Sequence, residues 1–130
     1  MPNTPPTGVS DMHLPHVVEK PWGREIWWAP TKRYCGKRID IRAGQSMSLQ
    51  YHERKHGTIY VLEGRLLLGD HATEVGPGFR AEVPPGTIHR LSALTDAVLM
   101  EGSTPKVDDV VRLEDRYGPT MPVLAPSEMG

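Results

Sequence analysis

Cysteine is almost missing from this chain. Cys35 is the single thiol among 130 residues, so no intrachain disulfide can form, and a lone cysteine of this kind reads as a small buried side chain rather than a nucleophile. A reducing compartment is the matching expectation. Long apolar runs are also lacking: nothing approaches the ~20 consecutive residues of a membrane span. The first segment, MPNTPPTGVSDMHLPHVVEK, has neither the basic start nor the apolar centre of an export signal. The reading is a cytoplasmic protein with no membrane partner. Neither charge sign dominates, with 15 Lys and Arg against 16 Asp and Glu, and this balance removes the electrostatic reason to expect nucleic acid. No nucleic-acid-binding module is visible either. A small molecule is left as the expected ligand.

Amphipathic runs of helical length are absent too, and what stands in their place is short and mostly alternating. The segments REIWW, KRIDIR, SMSLQYH, TIYVLEG, RLLLG, FRAEV, TIHRL and DAVLM read as strands. They are punctuated by Ala43-Gly44, Glu63-Gly64, Gly76-Pro77-Gly78 and Pro84-Pro85-Gly86. Many close strands with Gly and Pro turns predict an all-β, single antiparallel β-barrel of the jelly-roll kind. A chain of this length holds one core. Residues 1–15, rich in Pro and Thr, form an N-terminal arm; 16–117 form the domain; 118–130 form a Pro-rich tail. Trp22, Trp27 and Trp28 belong to an early strand that packs on the barrel or on a second subunit. VDDVVRLEDRYG, near the end, is the one segment expected to supply a short helix or turn.

Gln50 and His52 lie two apart on a predicted strand, and side chains two apart share one face of a sheet. His89 follows a Pro-Pro-Gly turn that fixes the direction of its backbone. A third ligand from a separate strand would make a facial set with open positions, as a catalytic metal requires. A single strand histidine is more often a surface or hydrogen-bonded residue. The spacing is what raises these three above that reading.

Gly44, five residues, Gln50-x-His52, four residues, Gly57, six residues, Gly64 resembles the first motif of the cupins. That motif runs Gly, five residues, His-x-His, three or four residues, Glu, six residues, Gly. Gly78, five residues, Pro84-x-Gly86, two residues, His89, three residues, Ala93 is similar to the second motif, which ends in Asn. Within the cupins the chain looks most like the carboxy-terminal domain of type II mannose-6-phosphate isomerases, in which Gln replaces the first motif His. The shared stretches are KPWG, GQSMSLQYH, PPGTIHRL and DDVVRLEDRYG, covering approximately Lys20 to Gly118. In that family the cupin usually follows a nucleotidyltransferase domain, which has no counterpart here.

The resemblance implies a divalent metal on Gln50, His52 and His89. Two departures bear on it. Gly57 stands where the family has its metal-binding Glu, and Ala93 stands where the motif has Asn. His56, one residue before Gly57, is either a fourth ligand or an exposed loop residue of the polar run Glu53-Arg54-Lys55-His56. A set without a carboxylate favours zinc, ahead of iron, nickel or copper, over magnesium or manganese. Arg54, Lys55 and Arg90 are candidates to hold a phosphate or carboxylate, and solvated surface residues otherwise. Glu53 faces outward beside His52, and Tyr51 and Tyr60 read as barrel wall. Arg112, Glu114, Asp115 and Arg116 cap one barrel end or serve the isomerase site.

Three functions fit. The first is an aldose–ketose isomerase acting on a sugar phosphate, with metal as Lewis acid and His56 as the candidate catalytic base. The second is a metal-dependent oxygenase. The third is a cupin that binds a sugar or small acid without turnover. By analogy with the cupins a homodimer is expected.

Overall fold

The computed structural model describes residues 8–9, 12–69, 73–105 and 109–114. Every regular element among them is a strand. β1 is His16–Lys20, β2 Gly23–Pro30, β3 Cys35–Ile41, β4 Leu49–His52, β5 Gly57–Glu63 and β6 Leu66–Leu68. β7 is Thr73–Val75, β8 Arg80–Val83, β9 Leu91–Ala93, β10 Ala97–Ser103 and β11 Val110–Glu114. Six of them form one antiparallel sheet in the order β1-β2-β3-β10-β5-β8. A second layer is built from the ladders β7-β6-β9 and β11-β4, joined by the bridges Ser46↔Ser92 and Gln50↔His89. Non-sequential neighbours in two facing layers make a jelly roll, so the predicted all-β antiparallel barrel is the observed one.

The alternation of the sequence explains which faces meet. Ile39 and Ile41 of β3, Ala97 and Leu99 of β10, and Ile59 and Val61 of β5 point from the large sheet into a common core. Leu66, Val75, Leu91 and Ala93 answer from the second layer, and Trp22 closes one side from the turn before β2. Leu99, Val61 and Leu66 are fully excluded from solvent. Each such side chain contributes roughly 1.5–3 kcal/mol on transfer from water. Gly64 shows why a motif glycine is needed. Its φ is +85°, and a Cβ there would run into the carbonyl oxygen of Asp96, so a side chain is barred by both backbone strain and space.

One element differs from expectation. Val110–Glu114, predicted as a short helix or turn, is a strand that pairs antiparallel with β4, Val111 opposite Tyr51 and Val110 opposite His52. Two adjacent β-branched valines suit a ladder better than a helix, and β4 offered an unpaired edge to complete. Asp115, Arg116 and the tail from 118 onward lie outside the described residues, as does most of the arm.

Leu99→Ala is expected to cost about 2–5 kcal/mol, whereas Leu94→Ala, at a 47% exposed position in the turn after β9, should change stability by no more than about 0.5 kcal/mol. Urea denaturation of the two variants checks both figures.

Candidate metal and ligand site

β4 and the segment leading into β9 lie side by side, and Gln50 and His89 exchange both backbone hydrogen bonds, at 3.0 and 2.8 Å. The register between these segments slips by one residue between the Ser46↔Ser92 and Gln50↔His89 bridges. A slip of this kind re-aims the side chains beyond it. Gln50 Nε2 and His52 Nε2 are 3.5 Å apart, and the His52 and His89 rings stack with centroids 6.0 Å apart at 27°. The amide and the two imidazoles thus converge.

The partners of each ring decide its tautomer. His52 Nδ1 lies 3.0 Å from Asp109 Oδ1, and His89 Nδ1 lies 2.9 Å from the carbonyl oxygen of Thr87. A carboxylate and a carbonyl only accept, so both Nδ1 atoms carry a proton, and in the neutral form of each ring the lone pair lies on Nε2. This is the protonation pattern that imidazole ligands of metals adopt, with a carboxylate or carbonyl behind the ring. Gln50 is in turn oriented by the Ser48 hydroxyl, which donates to its Oε1 at 2.5 Å.

Asp109 is the residue that the sequence reading missed. It is 1% exposed, and besides His52 it accepts the backbone N–H groups of Arg54 and Lys55 at 2.7 and 2.8 Å. Burial by itself would raise its pKa, but the hydrogen bonds from the His52 ring and from those two amides outweigh burial and hold the carboxyl below its usual range. Burial also sets the direction at His52. It lowers the imidazole, aided by the nearby charges of Lys55 and His89, and the Asp109 hydrogen bond only partly opposes it. The pair is therefore a neutral imidazole on an ionised carboxylate. The only signal for Asp109 in the sequence was its place in the DDVVRLEDRYG stretch, which showed nothing of its pairing.

The other proposed site residues separate. His56 does not join Gln50, His52 and His89: its Nε2 is 2.5 Å from Glu82 Oε2 on β8, with the two side chains 43% and 54% exposed. Its predicted role as a fourth ligand is corrected on this ground. The physical reason is that the backbone N–H of His56 is tied to Thr104, at 3.0 Å, which turns the residue toward β8. Among the described residues no group of three or more His, Cys, Asp or Glu side chains is arranged to hold a metal ion. A metal here would rest on the two imidazoles, because the Gln50 amide turns its NH2 to His52 and its Oε1 to Ser48 and would ligate only with the amide reversed. Lys55 reaches not outward but to Glu101, Nζ to Oε1 at 3.1 Å. Arg90 pairs with Glu114 at 2.9 Å, and its buried Nε has no hydrogen-bond partner. Arg54 and Glu53 are exposed. Tyr60, read as barrel wall, is 45% exposed on the outer face. A surface groove bordered by Arg24, Asp40, Arg42, Glu63 and Asp96 lies at the opposite end of the large sheet, and Asp40 there is already paired with Arg24 and Arg38.

Comparison with known proteins agrees with the fold. The cupin domain model matches residues 37–101, half of the chain, and the chain belongs to the cupin family. Among curated proteins it is 30% identical over 118 residues to the mannose-1-phosphate guanylyltransferase ManC of Salmonella typhimurium, an alignment covering 85% of this chain and 25% of that protein. It is 31% identical over 120 residues to the xanthan biosynthesis protein XanB of Xanthomonas campestris, covering 87% and 26%. The chain spans about a quarter of the length of these relatives. Among solved structures, KdgF from Halomonas superimposes with a TM-score of 0.64 at 23% identity over 74% of this chain and 89% of its own. The capsular polysaccharide assembling protein CapF of Staphylococcus aureus gives 0.66 at 16% identity over 79% and 32%. At these identities the structures speak for the fold alone. No helix among the described residues is long and apolar enough to cross a membrane.

Asp109→Ala removes one acceptor from three donors, and the expected loss of stability is more than about 3 kcal/mol. The pH dependence follows from two lowered pKa values. Each group binds fewer protons folded than unfolded between its two pKa values, so its contribution is present above the unfolded value and is lost as pH falls through the folded one. The urea midpoint should therefore decline as pH drops below the ordinary histidine value of 6.5, first through His52 and then, below the carboxylate value of 3.8, through Asp109. The second decline should be smaller in Asp109→Ala.

Proposed function

We propose that this chain is a metal-binding cupin that acts on a sugar phosphate, with the ion on Gln50, His52 and His89. The reaction is aldose–ketose isomerisation of the mannose-6-phosphate isomerase type. The observation that supports this reading is the pair of adjacent imidazoles, each held from behind at Nδ1 by a fixed acceptor so that Nε2 is the nitrogen left to ligate. The absence of a carboxylate from the set favours zinc, ahead of iron, nickel or copper. When bound, the ion supplies Lewis-acid polarisation of the sugar carbonyl or hydroxyl. Asp109 keeps His52 in the ligating tautomer. Arg54, exposed beside His52, receives the phosphate, since a guanidinium makes paired hydrogen bonds to such anions. His56, the base expected from the sequence, is paired with Glu82 outside that set and is given no part in the reaction. The curated relatives, named for mannose-1-phosphate guanylylation and xanthan biosynthesis, support a sugar-phosphate ligand.

A second reading, binding of a sugar phosphate without turnover, is favoured by one observation: position 57 of the motif carries no carboxylate. We also infer a homodimer formed through the outer face of the large sheet, where Trp28, Tyr60 and Leu62 are 53%, 45% and 46% exposed. Trp28 on β2 is separated from Tyr60 and Leu62 on β5 by β3 and β10, and large exposed apolar groups on one sheet face suit a subunit contact. Light scattering at micromolar concentration should give twice the 14.5 kDa chain mass, and a monomer there overturns the inference.

The function is tested by incubating the purified protein, loaded with zinc, with mannose 6-phosphate and measuring fructose 6-phosphate. Equilibration of the two sugars supports the isomerase. Calorimetric binding without equilibration selects the second reading, and neither overturns both. Metal content should fall to background in His52→Ala and His89→Ala. In Asp109→Asn, affinity for zinc should drop by roughly 10- to 100-fold through loss of the carboxylate behind the ring.

A further inference from the structure

The inner face of the large sheet is apolar along most of its length and charged in one row. Lys37 on β3 stands opposite Trp27 on one side and Glu101 on the other, and Glu101 stands opposite Ile59 of the core. Lys37 and Glu25 are 9% and 12% exposed at the side chain, with Nζ 3.6 Å from Oε1. Lys55, from the turn between β4 and β5, is 11% exposed and reaches Glu101, 15% exposed, at 3.1 Å. Taking these charges out of water is costly, and apolar residues of similar size would serve the core as well or better. Stability alone therefore gives little reason for the row.

The Lys55–Glu101 pair joins the large sheet to the backbone behind the imidazoles. The N–H groups of Arg54 and Lys55 donate to Asp109 Oδ2 at 2.7 and 2.8 Å, and Asp109 Oδ1 lies 3.0 Å from His52 Nδ1. A continuous series of polar contacts thus runs from Glu101 through the side chain and backbone of Lys55 to Asp109 and the His52 ring. Other ties of the turn, from the N–H of Glu53 to the Asp109 carbonyl and from the N–H of His56 to Thr104 Oγ1, end on residues outside the strands. Glu101 instead sits within β10, which is paired on both sides, with β3 and with β5. It is the firmest point to which the turn is fastened.

Two neighbours leave Glu101 as the partner of Lys55. The other carboxylate of the row, Glu25, is already engaged: Trp27 Nε1 donates to its Oε1 at 2.8 Å, and Lys37, which lies over the Trp27 ring, faces the same oxygen. Gly57 is the second. A Cβ there would stand 3.3 Å from Ser103 Cβ and 3.5 Å from Glu101 Oε2, so the space is filled by its neighbours and a motif Glu at this position would crowd the Glu101 carboxylate with like charge. Glycine leaves Glu101 to Lys55.

We propose that Glu101 is a positioning residue for the imidazole pair: through Lys55 it fixes the turn whose amides hold Asp109, and thereby the direction of the His52 ring. This rests on the metal-binding reading above. Glu101 touches neither the ion nor the substrate, and the charged row serves the aim of a ligand rather than the stability of the core.

The double variant Lys55→Met/Glu101→Gln separates the two roles, because it removes both charges and nearly keeps both side-chain shapes. Its urea midpoint should match or exceed that of the parent chain, since neither charge is left buried and unpaired. Its zinc affinity, measured by chelator competition, should fall roughly 3- to 30-fold, the span that networks of ion pairs and hydrogen bonds transmit. In the metal-free chain the His52 Nδ1 proton, followed by NMR, should exchange with water faster than in the parent. Lys55→Arg, which keeps the ion pair, should hold both readings at parental values. A stable double variant with parental zinc affinity and parental His52 exchange overturns the proposal. So does a zinc affinity that falls only in step with the urea midpoint, since that assigns the pair a general structural role. A parent chain that binds no zinc removes the metal reading, while His52 exchange in the metal-free double variant still decides the positioning role. Should the double variant not fold, Glu101→Gln alone is taken through the same measurements with the same outcomes.

Discussion

The Asp109 carboxylate is the constraint on which the rest of the site depends. It is buried, it stays ionised, and its two oxygens serve three donors from segments that are otherwise joined only by ladders: the His52 ring at the end of β4 and the amides of Arg54 and Lys55 in the turn toward β5. The cost of burying this charge is offset by those hydrogen bonds. Because the carboxylate precedes β11, the pairing of β11 with β4 and the orientation of His52 are one event. The same contact fixes the backbone from which Lys55 reaches Glu101.

This arrangement explains how a small barrel holds two kinds of polar surface in one end. Two imidazoles present their Nε2 atoms on the β4 side, and an ion-paired row presents charge on the large-sheet side. Each is satisfied without water: the rings by an acceptor behind them, the lysines by glutamates on neighbouring strands. The apolar half of the barrel, from Ile39 through Leu99 and Val61 to Leu66, stands apart from both and carries the stability. Separating packing from chemistry along the barrel axis lets the polar end vary without unfolding the core.

The loss of the motif Glu at position 57 illustrates the difference between a pattern and a site. In the linear motif the position is vacant. In the folded sheet it is bordered by Ser103 and by the Glu101 carboxylate, because β10 runs beside β5 with Ser103 opposite Gly57. A charge missing from one strand can be met from its neighbour, and cross-strand register decides whether it is.

The amino-acid sequence by itself determined the all-β class, the strand segments with their glycine and proline breaks, the cupin resemblance, and the shared face of Gln50 and His52. These follow from periodicity and local backbone preference, which act over a few residues. Only the tertiary structure decided that His89 meets that pair, that His56 turns to Glu82, that Val110–Glu114 is a strand, and that Asp109, Lys37 and Glu101 have partners at all. Those outcomes depend on contacts between residues tens of positions apart, such as His52 with Asp109 and Lys55 with Glu101. No local pattern encodes such a contact, because its energy exists only once the sheets have set which strands are neighbours.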